Sequence, residues 1–470
     1  MTRQLSYQLI GILLITVSAF ILSTDAYFIA PAVPLGVIGL YVLYKHPEWG
    51  LIALAGLVPF ESLFAGSKFL TGPKIIGTAL LIIVTLKLLL REIPLDRLKS
   101  RLWWPIVFLI LAFFVSTLLH GFTEFSLKTN RQLLTAISIF YLTLALHDRI
   151  SLVWLMRVLA LSVAITAIWT LISAGSNSDT RAIGLLTDPN YFALLLITVL
   201  PLTLYLVLFE KTTAWRILWF LVLVALMVAF VKTSSRSGLV VLVLAFSALA
   251  FHYRAKLRFI NTAQLGLGVI TLCLLATLTL ALLPQDYRDR MLSLVNIKSG
   301  LKSSFEDRSL GRRASYLVVG LNLFKQNPVF GAGPGSFPEK YSVSGYATAF
   351  SLSKEEPELF RRAHNTYMET LAETGLMGLI PLFVLVFMGL VQFHRARHYA
   401  IDAQCFSQAN LIMHVGIALF TISLFLFFLT GLNNKLFWLF LGLGHAFLLQ
   451  HPLSSEKAHN AVQRDHSLSE

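Results

Sequence analysis

Charge is what this sequence has least of. Asp, Glu, Lys and Arg make up 13% of the 470 residues, while 56% are hydrophobic. A soluble domain carries charge at roughly a quarter of its positions, so an ordinary soluble fold is excluded. Cysteine is nearly absent, with only Cys273 and Cys405, which rules out a disulfide framework and a thiolate metal site. No Asp-x-Asp, His-Glu-x-x-His or Cys-x-x-Cys occurs, so neither a metal nor another cofactor is expected. Strands of about ten alternating residues are missing too, which argues against a membrane barrel. No internal repeat is visible, and the first apolar run lacks a small-residue cleavage site, so it reads as an uncleaved helix.

What the sequence has in quantity is long apolar runs. With a mean hydropathy of +0.73, the chain shows about 14 stretches long enough to cross a hydrocarbon core of about 30 Å. They fall at 7–24, 27–44, 49–65, 74–90, 103–120, 132–147, 151–173, 190–209, 215–231, 237–252, 264–283, 366–393, 408–430 and 435–450. The expected fold is all-α, a polytopic membrane protein of about 12–14 transmembrane helices. It divides into N-terminal helices 1–173, helices with outer arginine motifs 174–283, one long hydrophilic loop 284–363 carrying short amphipathic helices, C-terminal helices 364–450, and a polar tail 451–470 read as disordered.

Basic residues orient the chain. With a cytoplasmic N-terminus, Arg91, Arg97, Lys99, Arg101, Arg254, Lys256, Arg258, Arg395 and Arg397 all fall on the cytoplasmic side. Arg181, Arg236, His364, Lys435 and the long loop then lie outside. The net charge of +14 has no soluble basic face to carry it, so membrane lipid headgroups, not nucleic acid, are its expected partner.

Polar groups beside the spans are costly and are functional candidates by default. In "SDTRAIGLLTDPNYFA" Asp188 reads as a helix cap with Pro189 at the first position, and Asn190 follows; Arg181 has no such structural role. "VKTSSRSG" presents Arg236 in a short turn, where contact with lipid headgroups is the plain alternative. In "GRRASYLVVGLNLFKQNPVFGAGPGSF" an amphipathic helix carrying Arg312 and Arg313 leads into Gly331, Gly333 and Gly335. Those glycines read first as a tight turn, with a backbone anion nest as the alternative.

"RRAHNTYMETLAETGLMG" adds Arg361, His364, Asn365, Tyr367 and Glu373. A helix starting near Asn365 would put His364 at the membrane surface. Glu373 would sit about 13 Å deeper at 1.5 Å per residue, where pairing with a basic group from a neighbouring span is expected.

Scattered arginines near one leaflet suit a lipid-linked diphosphate, because guanidinium groups bind phosphate oxygens bidentately and stay charged. A histidine beside them, with an ordinary pKa near 6.5 and the positive charge of Arg361 and Arg362 close by, favours its neutral form and can act as a general base. Together they read as glycosyl transfer from a polyprenyl diphosphate to a hydroxyl. A structural histidine is the plain alternative.

These residues also carry a resemblance. "HNTYMETLAETGLMG" is similar to a signature of the O-antigen ligase and polymerase superfamily, with Met368 in place of leucine. "GRRASY…NPVFGAGPGSF" resembles that family's arginine-to-aromatic and glycine-rich segment, with Tyr316 in place of tryptophan. "TSSRSG", "RAIGLLTDPNYFA" and "NNKLFWLFLGL" match further motifs, so the likeness covers roughly residues 175–445. It implies a metal-independent, inverting glycosyltransferase of the bacterial inner membrane, with its site facing the periplasm. Such an enzyme moves a glycan en bloc from undecaprenyl diphosphate to an acceptor such as lipid A core, polysaccharide or protein. His364 is the implied base, and Arg181, Arg236 and Arg312 are the implied diphosphate ligands. Arg313 competes with Arg312; the spacing to Tyr316 favours Arg312. A repeat-unit polymerase uses the same chemistry, and a lipid-linked glycan transporter is the rival from another class.

Overall fold

The computed structural model describes residues 32–64, 71–173, 181–257, 308–350 and 359–450, with Thr16 besides. Among them no strand occurs, and the fold is all-α. In chain order the helices are α1 Ala32–Lys45, α2 Pro47–Leu57, α3 Gly72–Leu89, α4 Trp103–His120, α5 Glu124–Leu146, α6 Leu152–Ser173, α7 Pro189–Phe209, α8 Thr213–Lys232 and α9 Arg236–Leu257. They continue as α10 Arg308–Gln326, α11 Phe337–Ser342, α12 Gly345–Phe350, α13 Thr366–Asp402, α14 Phe406–Phe425 and α15 Lys435–Gln450.

Among the described residues, 8 helices are long and apolar enough to cross a membrane: α3, α4, α6, α7, α8, α9, α13 and α14. The stretches Pro34–Lys45 and Lys435–Leu449 are apolar but shorter. The expected span 49–65 is helical only to Leu57 and then tightens into a 3₁₀ segment, Val58–Phe64. The expected span 132–147 starts earlier, at Glu124, where Thr123 and Ser126 form a reciprocal cap. The expected spans 7–24 and 264–283, the loop residues 284–307 and the tail 451–470 lie outside the described residues.

The spans begin where their residues allow. Asp188 caps α7, as expected, its carboxylate accepting from the N–H groups of Asn190 and Tyr191 with Pro189 at the first position; proline costs nothing there, where its missing N–H would be unpaired anyway. Helix α7 is the centre of the bundle, packed between α6, α8 and α14, and Phe192 to Ile197 are all fully buried. Helix α13 packs against α4, α14 and α15 and carries α10 across its outer end.

Helix α13 reads in the sequence as an unbroken span, but it is broken at Gly375 (φ 62°, ψ −157°). The glycine-rich loop after α10 passes through the break. Leu376 and Met377 donate their N–H groups to the carbonyls of Pro328 and Val329 at 2.9 and 3.2 Å, while Ala332 and Gly333 donate to the carbonyls of Ala372 and Glu373 at 2.8 and 2.9 Å. Ser116 of α4 adds a hydroxyl to the Glu373 carbonyl at 2.9 Å. Backbone freed from a helix at membrane depth costs several kcal/mol per unsatisfied group, and here the loop repays it. Two glycines permit the approach: a Cβ on Gly331 would overlap the Glu373–Thr374 peptide, and one on Gly375 would overlap the Val329 carbonyl.

A second, smaller apolar cluster caps the outer end. Tyr316, Val319 and Leu323 of α10, at the spacing an amphipathic helix requires, pack with Phe337 and Tyr341 of α11 and with Ala347, Ala363 and Ala372. This cluster fixes α10 over the start of α13, which is where the polar groups gather.

Candidate functional site

Three chain segments meet at this end of the bundle. The first is residues 181–190 before α7. Arg181 donates from Nε to the Thr233 carbonyl at 2.9 Å and from Nη2 to Asn190 Oδ1 at 3.3 Å. Buried Asn190 also accepts from the Ser235 hydroxyl at 3.0 Å, so this segment is tied to the α8–α9 turn. That turn holds Ser234 in the left-handed region, φ 49°, and launches α9 with Arg236 as its first residue. One amide oxygen thus brings the Arg181 and Arg236 segments together.

The second segment is the start of α10. Burial lowers the pKa of Arg313, and the positive charge of Arg236 lowers it further, while Asp188 opposes both. Arg312 acts on Tyr316 and Tyr341, and Tyr316 acts on Arg313 as well. It is therefore Arg313 that stands among Arg236, Asp188 and His364, although the spacing to Tyr316 favours Arg312 in the sequence.

The third segment is the turn into α13. His364 is in the left-handed region at φ 47°, uncommon for a residue with a side chain and a mark of over-determined surroundings. Its ring stacks on Tyr316, centroids 5.8 Å apart and 27° from parallel. Burial comes first in lowering the pKa of His364; Arg313 and Arg361 act in the same sense, and Asp188 and Glu369 act against them. The neutral imidazole is favoured, which is the form that accepts a proton. Arg361 hydrogen-bonds the Tyr316 hydroxyl.

The remaining expected residues have mostly structural contacts. Asn365 caps α13, accepting from the Met368 N–H at 3.0 Å. Tyr367 is buried between Phe383 and Phe427 and donates to the Ser423 carbonyl at 2.9 Å. Glu373 is held by backbone groups and not by the basic side chain expected: its Oε1 accepts from the Phe337 N–H at 3.2 Å, with Gly335 N–H as a second donor. The glycine-rich loop thus turns its N–H groups inward, and what they hold is the protein's own Glu373 carboxyl. Arg362, whose charge reaches Glu373, hydrogen-bonds Glu369 instead, at 2.9 Å from Nε.

Two acidic residues of this end were missed as site candidates. Asp188 shows in the sequence only as a cap, yet its charge reaches both His364 and Arg313. Glu369 sits inside the quoted motif, one helical turn past Asn365, and that spacing is the signal that could have found it. Glu369 also lines a cleft, together with Thr129, Gln132, Arg362, Thr370, Glu373 and Asn433 among others. Among the described residues, no group of three or more His, Cys, Asp or Glu could hold a metal ion. The His394–His398 pair, rings 4.5 Å apart, lies at the far end of α13.

Chemically, the assembly offers several guanidinium groups and one imidazole beside the half-buried Asp188 carboxylate that caps α7. No curated protein matches the chain. Residues 220–383 match the family model described as O-antigen ligase, a stretch that takes in Arg236, Arg312, Arg313 and His364, and this region therefore belongs to the O-antigen ligase superfamily.

Proposed function

We propose that this protein transfers a glycan from undecaprenyl diphosphate to an acceptor hydroxyl at the periplasmic face of the bacterial inner membrane. The family supports a membrane enzyme acting on lipid-linked glycan. The observation that carries the finer reading is the position of His364, a buried imidazole in a left-handed turn within electrostatic reach of Arg313 and Asp188.

In this reading His364 takes the proton of the acceptor hydroxyl as its oxygen attacks the anomeric carbon, and the carbon–oxygen bond to the diphosphate breaks on the opposite face. One displacement inverts the anomeric centre. The departing diphosphate gains charge as the bond breaks, and in this reading Arg181, Arg236 and Arg313 stabilise it; charge stabilisation of this kind is commonly the largest single contribution to a rate. A proton acceptor at the right place contributes about 10² to 10⁴. The same steps serve a polymerase whose acceptor is a second lipid-linked repeat unit.

The test is turnover by purified protein in detergent. Undecaprenyl diphosphate-linked glycan should be consumed, and free undecaprenyl diphosphate released, without any ion gradient. His364→Ala should abolish release while the protein still binds undecaprenyl diphosphate. Normal turnover in that variant overturns the base assignment, and an absolute need for a gradient overturns the transferase reading in favour of transport.

A further inference from the structure

We propose that Glu369 is the positioning residue for His364, holding the turn before α13 in the one conformation that aims the imidazole. The inference rests on the transferase reading above and adds to it a residue that touches neither substrate nor proton.

The geometry is a clamp on both sides of a single residue. Before His364, the Glu369 carboxylate grips two consecutive residues: Oε1 accepts from Nε and Nη2 of Arg362 at 2.9 and 2.5 Å, and Oε2 accepts from the backbone N–H of Ala363 at 2.9 Å. Thr430, from the α14–α15 connection, fills the remaining lone pair of Oε2 at 2.7 Å. After His364, Asn365 caps the helix, and Thr366 donates its N–H to the Leu426 carbonyl at 2.8 Å and its hydroxyl to the Leu429 carbonyl at 2.7 Å. His364 is the residue left between these anchors, and it is the one that turns left-handed. Only a carboxylate can serve all of these donors, because it is acceptor-only and has about four lone-pair positions. A glutamine in its place has an NH₂ where a donor must be received.

Glu369 is 3% exposed; it forms part of the wall of the cleft, with its carboxylate oxygens taken up by Arg362, Ala363 and Thr430. Its negative charge also reaches His364. The groups acting on that ring are Asp188 at the start of α7, Arg313 and Tyr316 of α10, Arg361 of the turn itself, and Glu369 of α13. Asp188 and Glu369 support the imidazolium, so removing Glu369 lets the ring lose its proton at a lower pH.

The experiment is a kinetic comparison of Glu369→Gln, Thr430→Ala and His364→Ala with the parent, following release of undecaprenyl diphosphate in membranes of a strain lacking its own copy. For Glu369→Gln, kcat should fall by about 10²-fold, the scale of a small misplacement of a reacting group. Its KM for the lipid-linked donor should stay within about threefold, a loss confined to the transition state. The acid limb of kcat/KM should move to lower pH. Thr430→Ala removes one of the clamp's bonds and leaves the ion pair, so it should fold normally and lose kcat by a smaller factor in the same sense. Unchanged kcat in both variants, or in Glu369→Gln a loss of kcat with the acid limb unmoved, overturns the proposal and leaves Glu369 a structural residue. A Glu369→Gln protein too unstable to assay leaves the decision to Thr430→Ala. Failure of the underlying reading looks different, since His364→Ala itself would then turn over normally.

Discussion

The imidazole of His364 lies on the phenol ring of Tyr316, with centroids 5.8 Å apart and planes 27° from parallel. Tyr316 is itself held by the edge of Tyr341, at 4.9 Å and 66°. A flat surface against a base fixes the direction of its nitrogens. Tyr316→Ala should therefore lower kcat by about 10²-fold through misalignment, whereas Tyr316→Trp, which keeps a flat aromatic face there, should keep kcat within about tenfold. Equal activity of the alanine and tryptophan variants would show the stacking to be incidental.

The pH dependence has a definite sign. His364 acts as a base in its neutral form, and burial holds its pKa below the ordinary value. Transfer should be level around pH 7 and decline only as pH falls through a value under about 6.5. Asp188→Asn removes a charge that supports the imidazolium while keeping a good cap for α7, so the acid limb should shift to lower pH. A limb that stays in place, measured as kcat/KM against pH, argues against the electrostatic link between Asp188 and His364.

Arg312 and Arg313 are neighbours in the chain but not in surroundings. Arg313 is close enough to Arg236 and His364 for their charges to act on one another, whereas Arg312 acts on Tyr316 and Tyr341. Arg313→Gln should cost about 10²-fold in transfer, the usual scale for losing one group that stabilises departing charge, and Arg312→Gln clearly less. Similar losses in the two, in the same release assay, would deny Arg313 a special place. Arg236→Lys should also lose activity, because a bidentate contact becomes a point contact; a lysine that works as well would indicate headgroup contact.

The break in α13 makes a stability prediction. Gly375 occupies a region of φ and ψ that is essentially reserved for glycine, and its α-carbon faces the Val329 carbonyl. Gly375→Ala adds a backbone penalty of about 1 to 3 kcal/mol to a steric one, and should lower the melting temperature of the purified protein in detergent. Gly36→Ala, at a position with nothing within 4 Å, is the control. Matching melting curves for the two variants would mean the loop does not pass as tightly as described.

Some of this was readable from residue order. Asp188 followed by Pro189 announces the start of α7, Asn365 announces the start of α13, and the alternation of Tyr316, Val319 and Leu323 announces a helix lying on a surface; each signal is local, and each local rule held. The glycines were also legible as special, but their purpose was not. Gly331 and Gly375 are far apart in the chain, and a mutual backbone approach leaves no periodicity in either segment. The partner of Glu373 was misjudged for a related reason. Burial predicted a neutralising side chain, and backbone N–H groups, which every residue has and no sequence displays, took that place.

Residue order alone determined that the chain is a helical membrane protein, because the length and polarity of each run are set within the run. Which arginine stands beside the imidazole, which carboxylate holds the turn, and where a span is broken were decided only by the tertiary structure. Those outcomes depend on distances between groups from different helices, and a helix's own pattern fixes its faces but not what its neighbours bring to them.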